Sequence, residues 1–312
     1  MADCSNTFLK FNTAISLNKT DRKYLRSARK AVTGKIRTYF EQNSHCPKVE
    51  FIAQGSFTMG TIVKPLSGDY DIDIGVYLRE LSDYQSGWPT PEAASKWLIN
   101  ALQNHTSTSP INKKTCVRII YQPITKDREV AYHVDLPIYV QYLNFWDNKR
   151  TRIGIIGETQ WSDKSDPVGF TKWFIEKCQQ NDKDKNQLIR LIKYIKAWKD
   201  FKGQTSKFPS GMVLTVLLAE NYKPNDRDDL AFYETIRKAY NSIDGLFVVM
   251  CEIYKPVEPY NDLTEKLNSN QKKVFMKCFE ELVDDGKLAI EESNQEKSML
   301  LWCKHFDSRF NN

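Results

Sequence analysis

Between Asn18 and Asn43 apolar residues recur every three or four positions, at Leu25, Ala28, Val32, Ile36 and Tyr39. This spacing predicts a long amphipathic helix capped by Asn18 or Thr20. Its other face is basic, with Lys19, Arg22, Lys23, Arg26, Arg29, Lys30, Lys35 and Arg37, and Asp21 is the one acid among them. Such a face reads either as a solvated surface or as a phosphate-binding patch. The period then shortens. Val49–Ala53 is a brief apolar run leading into Gln54-Gly55-Ser56, and a turn or short helix follows over Phe57–Ile62. Tyr70–Leu78 alternates as a strand does, with Ile72, Ile74, Val76 and Leu78 on one face and Asp71, Asp73 and Gly75 on the other. Pro91–His105 reads as a helix with proline in its first turn, and Cys116–Gln122 and Glu129–Val140 read as strands joined by a polar turn.

After Tyr142 the pattern changes. Residues 144–167 are polar and irregular and read as a link between two lobes. Helical spacing dominates beyond it, over 168–180, 186–201, 210–222, 229–242, 263–284 and 295–306. The expected fold class is therefore α/β (α+β). A mixed sheet and a long N-terminal helix form one lobe over residues 1–165, and a helical lobe covers 166–312.

Composition narrows the classes. The 312 residues are 41% hydrophobic and 27% charged, which excludes a mainly disordered chain, a collagen-like repeat and a disulfide mini-scaffold. Net charge is +6, compatible with an anionic substrate and too small to demand nucleic acid. Seven scattered cysteines with no CxxC pair argue against a zinc ribbon and for reduced thiols, hence a cytoplasmic setting. Mean hydropathy is −0.55 and no apolar run has bilayer length, so no membrane partner is expected.

The chemistry concentrates in three pieces: Gly55-Ser56, Asp71-x-Asp73 and Asp135, the last embedded in the apolar run HVDLPIYV. Residues i and i+2 of a strand share a face with Cα atoms roughly 6.6 Å apart. Asp71 and Asp73 then project side by side, which is unfavourable unless a cation lies between them. Carboxylates that bridge two Mg²⁺ ions are what two-metal phosphoryl transfer requires. A pairing of the two strands would add Asp135 as a third ligand, placed to draw the proton from an attacking hydroxyl. Glycine permits close backbone approach to a phosphate and serine adds a hydroxyl donor, while Lys64 adds charge nearby. Taken singly, each piece has a plain structural alternative: a turn, a solvated acid pair, a hydrogen-bonded core acid.

In their order, GSFTMGT followed by DYDIDIGVYL, these residues resemble the polymerase-β-type nucleotidyltransferase signature. Within that superfamily they are most similar to the bacterial cGAS/DncV-like nucleotidyltransferases that carry the SMODS domain. The likeness continues through RLIKYIKAWK and FPSGMVLTVLLAEN. It implies a bilobed fold in which Gln54, Gly55, Ser56, Lys196 and Ser210 bind the nucleotide and Asp71, Asp73 and Asp135 hold two Mg²⁺ ions, with Mn²⁺ as an alternative. It also implies synthesis of a cyclic di- or trinucleotide from ATP and/or GTP in anti-phage (CBASS) signalling, by a monomer that needs no nucleic acid and whose product is sensed by a downstream effector protein. From the residues alone, Lys193, Lys196 and Lys199 read as a solvated face beside the apolar stripe Leu188, Ile192, Ile195 and Trp198, and Ser210 as a helix cap. Tyr222 and Tyr233 are candidates for stacking on a base. Two other readings compete: a nucleotidyltransferase acting on an RNA or protein acceptor, and a catalytically silent nucleic-acid-binding scaffold.

Overall fold

A computed structural model of the chain describes residues 1–66, 69–81, 84–122, 131–143, 149–153, 160–162, 165–181, 183–204, 206–245 and 249–311. The elements run α1 (Ser5–Ile15), α2 (Lys19–Gln42), β1 (Lys48–Gln54), α3 (Gly55–Thr58), β2 (Tyr70–Arg79), α4 (Pro91–Ala101), β3 (Ile111–Asn112), β4 (Cys116–Tyr121), β5 (Tyr132–Leu143) and β6 (Lys149–Ile153). Six further helices follow: α5 (Pro167–Cys178), α6 (Gln187–Lys202), α7 (Gly211–Asn221), α8 (Asp228–Ile243), α9 (Ser269–Glu291) and α10 (Gln295–Cys303).

The sheet is mixed, in the order β1-β2-β5-β4-β3, with β6 paired to the far half of β5. Among the described residues only β2 and β5 run parallel. One sheet face is apolar: Ile72, Ile74, Val76 and Leu78 of β2 lie beside Val134, Leu136, Ile138 and Val140 of β5, all buried. The α2 stripe covers this face, and each such aliphatic side chain removed from water contributes about 1.5–3 kcal/mol. Phe40 takes the last buried position of that stripe, and Tyr39, expected there, is half-buried beside it. Asn18 caps α2 in a reciprocal capping box with Asp21.

A second hydrophobic cluster holds α5–α10 together and includes α1. No element was expected over the first seventeen residues, yet Phe8, Phe11 and Ile15, spaced by three and four, are fully buried. The Phe8 ring lies 5.0 Å from Tyr194, 5.1 Å from Trp302 and 5.1 Å from Phe310, so the start of the chain is anchored among the helices that end it.

Other boundaries differ for identifiable reasons. Within the stretch read as an irregular link, Lys149–Ile153 is a strand on β5. The polar turn expected over 123–129 lies outside the described residues. Helix α9 starts later than expected because Asn268 and Gln271 form its capping box. It passes through Gly286 without stopping. That glycine is a packing position, since a Cβ there would sit 2.9 Å from the Trp302 ring. Among the described residues no helix is long and apolar enough to cross a membrane.

Candidate active site

The parallel register of β2 and β5 sets Asp71 opposite His133 and Asp73 opposite Asp135, while β1 brings Gln54 opposite Asp73 from the other side. Because the isoleucines of β2 face the core, strand alternation turns the acids to the opposite face. One carboxylate oxygen from each of Asp71, Asp73 and Asp135 falls within 4.8 Å of the others. The three acids expected from sequence to share a site are thus brought together.

Their electrostatics are strained. Burial pushes the Asp73 carboxyl up to about 7, with Asp71 and then Asp135 adding like-charge repulsion. Asp71 is raised as well, chiefly by burial and then by Asp135, with Arg118 and His133 opposing the rise. No hydrogen-bond donor among the described residues reaches the Asp73 carboxylate. Asp135 is held differently. Arg118 Nε donates to its Oδ1 and Nη2 to its Oδ2, both at 2.7 Å. At the rim His133 Nε2 lies 2.8 Å from Asp69 Oδ2.

Gly55 opens α3 at φ +73°, and a Cβ on it would sit 2.0 Å from Asp73 Oδ2. Only glycine fits a left-handed residue pressed against that carboxylate. Gly55 and Ser56 line a cavity of about 480 Å³ together with Asp71, Asp73 and Lys196. Buried Gln54 donates Nε2 to the Tyr139 hydroxyl at 2.9 Å, while its Oε1 has no partner among the described residues.

Lysines expected on a solvated face are not on one. Helix α6 is buried nearly all round. Lys193 Nζ donates to Ser16 Oγ at 2.9 Å, and Lys196 Nζ donates to Thr61 Oγ1 at 3.0 Å inside the cavity wall. Burial brings the Lys196 ammonium down to about 7, helped by the charge of Lys199. Half-buried and with no carboxylate partner among the described residues, Lys196 gains from an anion that enters. Ser210 caps α7 by accepting from Val213 N–H at 3.4 Å, and it lines an adjoining cavity reached past Lys199 and Met212. Its neighbour Gly211 lies on the main cavity wall, where a Cβ would sit 3.3 Å from the Lys196 side chain.

Three suggestions are corrected. Lys64 turns away to Asp21, 3.3 Å distant on α2. The Tyr222 hydroxyl bonds Asn181 and Gln187, and Tyr233 packs at the edge of the helical core with Arg237 over its ring. Sequence reasoning also missed residues. Arg118 was visible as a charge inside an apolar strand, but only the β4–β5 register sets it opposite Asp135. Lys255, buried and on the cavity wall, comes from an irregular segment with no signal of its own.

Residues 49–139, which include all of β2 and the three acids, match the family model described as cyclic GMP-AMP synthase DncV-like, nucleotidyltransferase domain. The stretch that carries the acids is thus similar to the cGAS/DncV-like nucleotidyltransferases. Among curated relatives, the cyclic GMP-AMP synthase of Escherichia albertii is 28% identical over 211 residues, 64% of this chain and 43% of the relative. The c-di-GMP synthase of Roseivirga ehrenbergii is 23% identical over 248 residues, 70% of this chain and 61% of the relative. The chain thus spans about half the length of the curated relatives it matches. The crystal structure of Vibrio cholerae DncV cyclic AMP-GMP synthase superposes with a TM-score of 0.76 at 16% identity, over 100% of this chain and 98% of that one. The 3'-deoxy GTP bound form of Escherichia coli DncV gives 0.73 at 18% identity, over 96% and 93%. The likeness of fold to these structures therefore extends through the helical half, beyond the stretch that the family model matches.

Proposed function

We propose that the chain is a divalent-metal-dependent nucleotidyltransferase that joins ATP and/or GTP into a cyclic di- or trinucleotide with release of pyrophosphate. The observation that carries this reading is the convergence of Asp71, Asp73 and Asp135 within 4.8 Å, the first two on the wall of a cavity that Gly55, Ser56 and Lys196 also line. The donor set is all carboxylate oxygen, which suits hard ions such as Mg²⁺ or Mn²⁺. When bound, such ions neutralise the triphosphate and the leaving pyrophosphate and make a hydroxyl a better nucleophile.

The chain's own groups supply the rest. Gly55 and Ser56 take the triphosphate against the backbone of α3, and Lys196, relieved of an uncompensated burial, neutralises it. Asp135 accepts the proton of the attacking 3′- or 2′-hydroxyl. Rebinding of the linear intermediate lets one site perform both transfers. The lobes 1–165 and 166–312 belong to the same proposal, with α1 contributed to the helical side. Relatives named as cyclic GMP-AMP and c-di-GMP synthases favour cyclisation over transfer to RNA or protein, and the proposal includes the role in anti-phage signalling through an effector that the sequence resemblance implies. The test is incubation with all four triphosphates and Mg²⁺ or Mn²⁺, with the products identified by mass spectrometry and linkage-specific nucleases. A small cyclic product is expected. Unreacted triphosphates, or label appearing only on macromolecules, would contradict the proposal.

A further inference from the structure

Arg118 stands on β4 in register with Asp135 on β5, and its guanidinium grips both carboxylate oxygens at 2.7 Å. Asp135 is 7% exposed, so this is no loose surface pair. The parallel fork occupies the lone pairs directed toward it on each oxygen. Asp135 is also one of the three acids that converge, and a hard divalent cation in that cluster needs an Asp135 oxygen. The same cation is repelled by a guanidinium fixed beside it.

We propose that Arg118 is the built-in counter-cation of the acidic cluster: it competes with a divalent ion for Asp135 and has to release at least one oxygen before the ion can bind there. This rests on reading the cluster as a metal site. The release has somewhere to go, because the Arg118 side chain is 26% exposed on the sheet face that carries the acids. The coupling is reciprocal. An anion that draws the guanidinium away strengthens metal binding, and the metal frees Arg118 for an anion, so that ion and nucleotide phosphates favour each other's arrival. A purely structural Arg118, serving only to fix the Asp135 rotamer, predicts the opposite sign on removal.

Mn²⁺ titrated into the full chain and followed by electron paramagnetic resonance separates the two. Arg118→Gln is expected to bind Mn²⁺ about tenfold more tightly than wild type, through loss of one adjacent positive charge. Arg118→Lys keeps the charge without the two-pronged grip and is expected to tighten binding less. Thermal melts check that both variants fold, and their Tm should rise more on Mn²⁺ addition than that of wild type. Asp71→Asn/Asp73→Asn is the control for the metal reading. Equal or weaker Mn²⁺ binding in the folded Arg118 variants, with binding abolished in the control, overturns the counter-cation role alone. Absence of saturable binding in wild type and in both Arg118 variants overturns it together with the metal reading.

Discussion

Two groups of carboxylates in the molecule are treated in opposite ways. Between α6 and α8, Asp228 is 2% exposed and takes hydrogen bonds from Arg190 Nε and Nη2 at 2.6 Å, the Tyr194 hydroxyl at 2.8 Å and Gln187 Nε2 at 3.0 Å. Its neighbour Asp229 is gripped by Arg227 and accepts Cys4 N–H at 2.9 Å. Every buried charge there is answered by the chain itself. On the sheet, three acids share one guanidinium, and Asp73 has no donor among the described residues. A buried charge matched internally is architecture, since removing one partner strands the other. A buried excess of one sign raises pKa values and costs stability, and a cation from outside relieves it.

That contrast can be broken by substitution. The largest effect is expected for Asp71→Asn/Asp73→Asn. Turnover of nucleoside triphosphates, measured by pyrophosphate release, should fall on the order of 10³-fold or more while urea denaturation shows no loss of stability. Asp228→Ala should do the reverse. It is expected to lose about 3 kcal/mol in urea denaturation because Arg190 stays buried, with residual activity in proportion to the folded fraction. Gly55→Ala sharpens the comparison by disturbing the acidic site through the backbone. A side chain at φ +73° that meets Asp73 should cost about 1–3 kcal/mol and depress activity beyond what unfolding explains.

The same contrast marks what could be read in advance. Local signals carried the acids: alternation turned Asp71 and Asp73 to one face, and an acid within an apolar run singled out Asp135. Strand periodicity states which face a residue takes, so that part of the site was legible. Partnership across strands was not. Arg118 is 17 residues before Asp135, and nothing but the β4–β5 register makes them a pair. That Lys193 is buried and Lys196 half-buried depends on how α6 is enclosed by α1, α7 and the loop bearing Thr61, so a helix that reads as half-solvated is covered nearly all round. The first helix went unread although Phe8, Phe11 and Ile15 have the right spacing, because eleven residues give a weak period and their partners lie almost 300 residues away. The end expected at 284 fell short, since α9 runs on to Glu291 and Gly286 within it admits Trp302.

The smallest effect is the most direct test of whether the acidic cluster awaits a cation. Asp73 titrates near 7 in the folded chain and near 3.8 unfolded, so between these values the native state binds more protons. Stability from this group is therefore lost as pH rises from about 4 to 7. Thermal unfolding across that range, in EDTA and in Mg²⁺, should show Tm falling with pH in EDTA and the fall removed by Mg²⁺. Asp73→Asn should melt without either dependence. A wild-type Tm that Mg²⁺ leaves unmoved at pH 7, with Asp73→Asn melting lower than wild type in EDTA, would contradict the account: the three acids would then be satisfied by the fold itself.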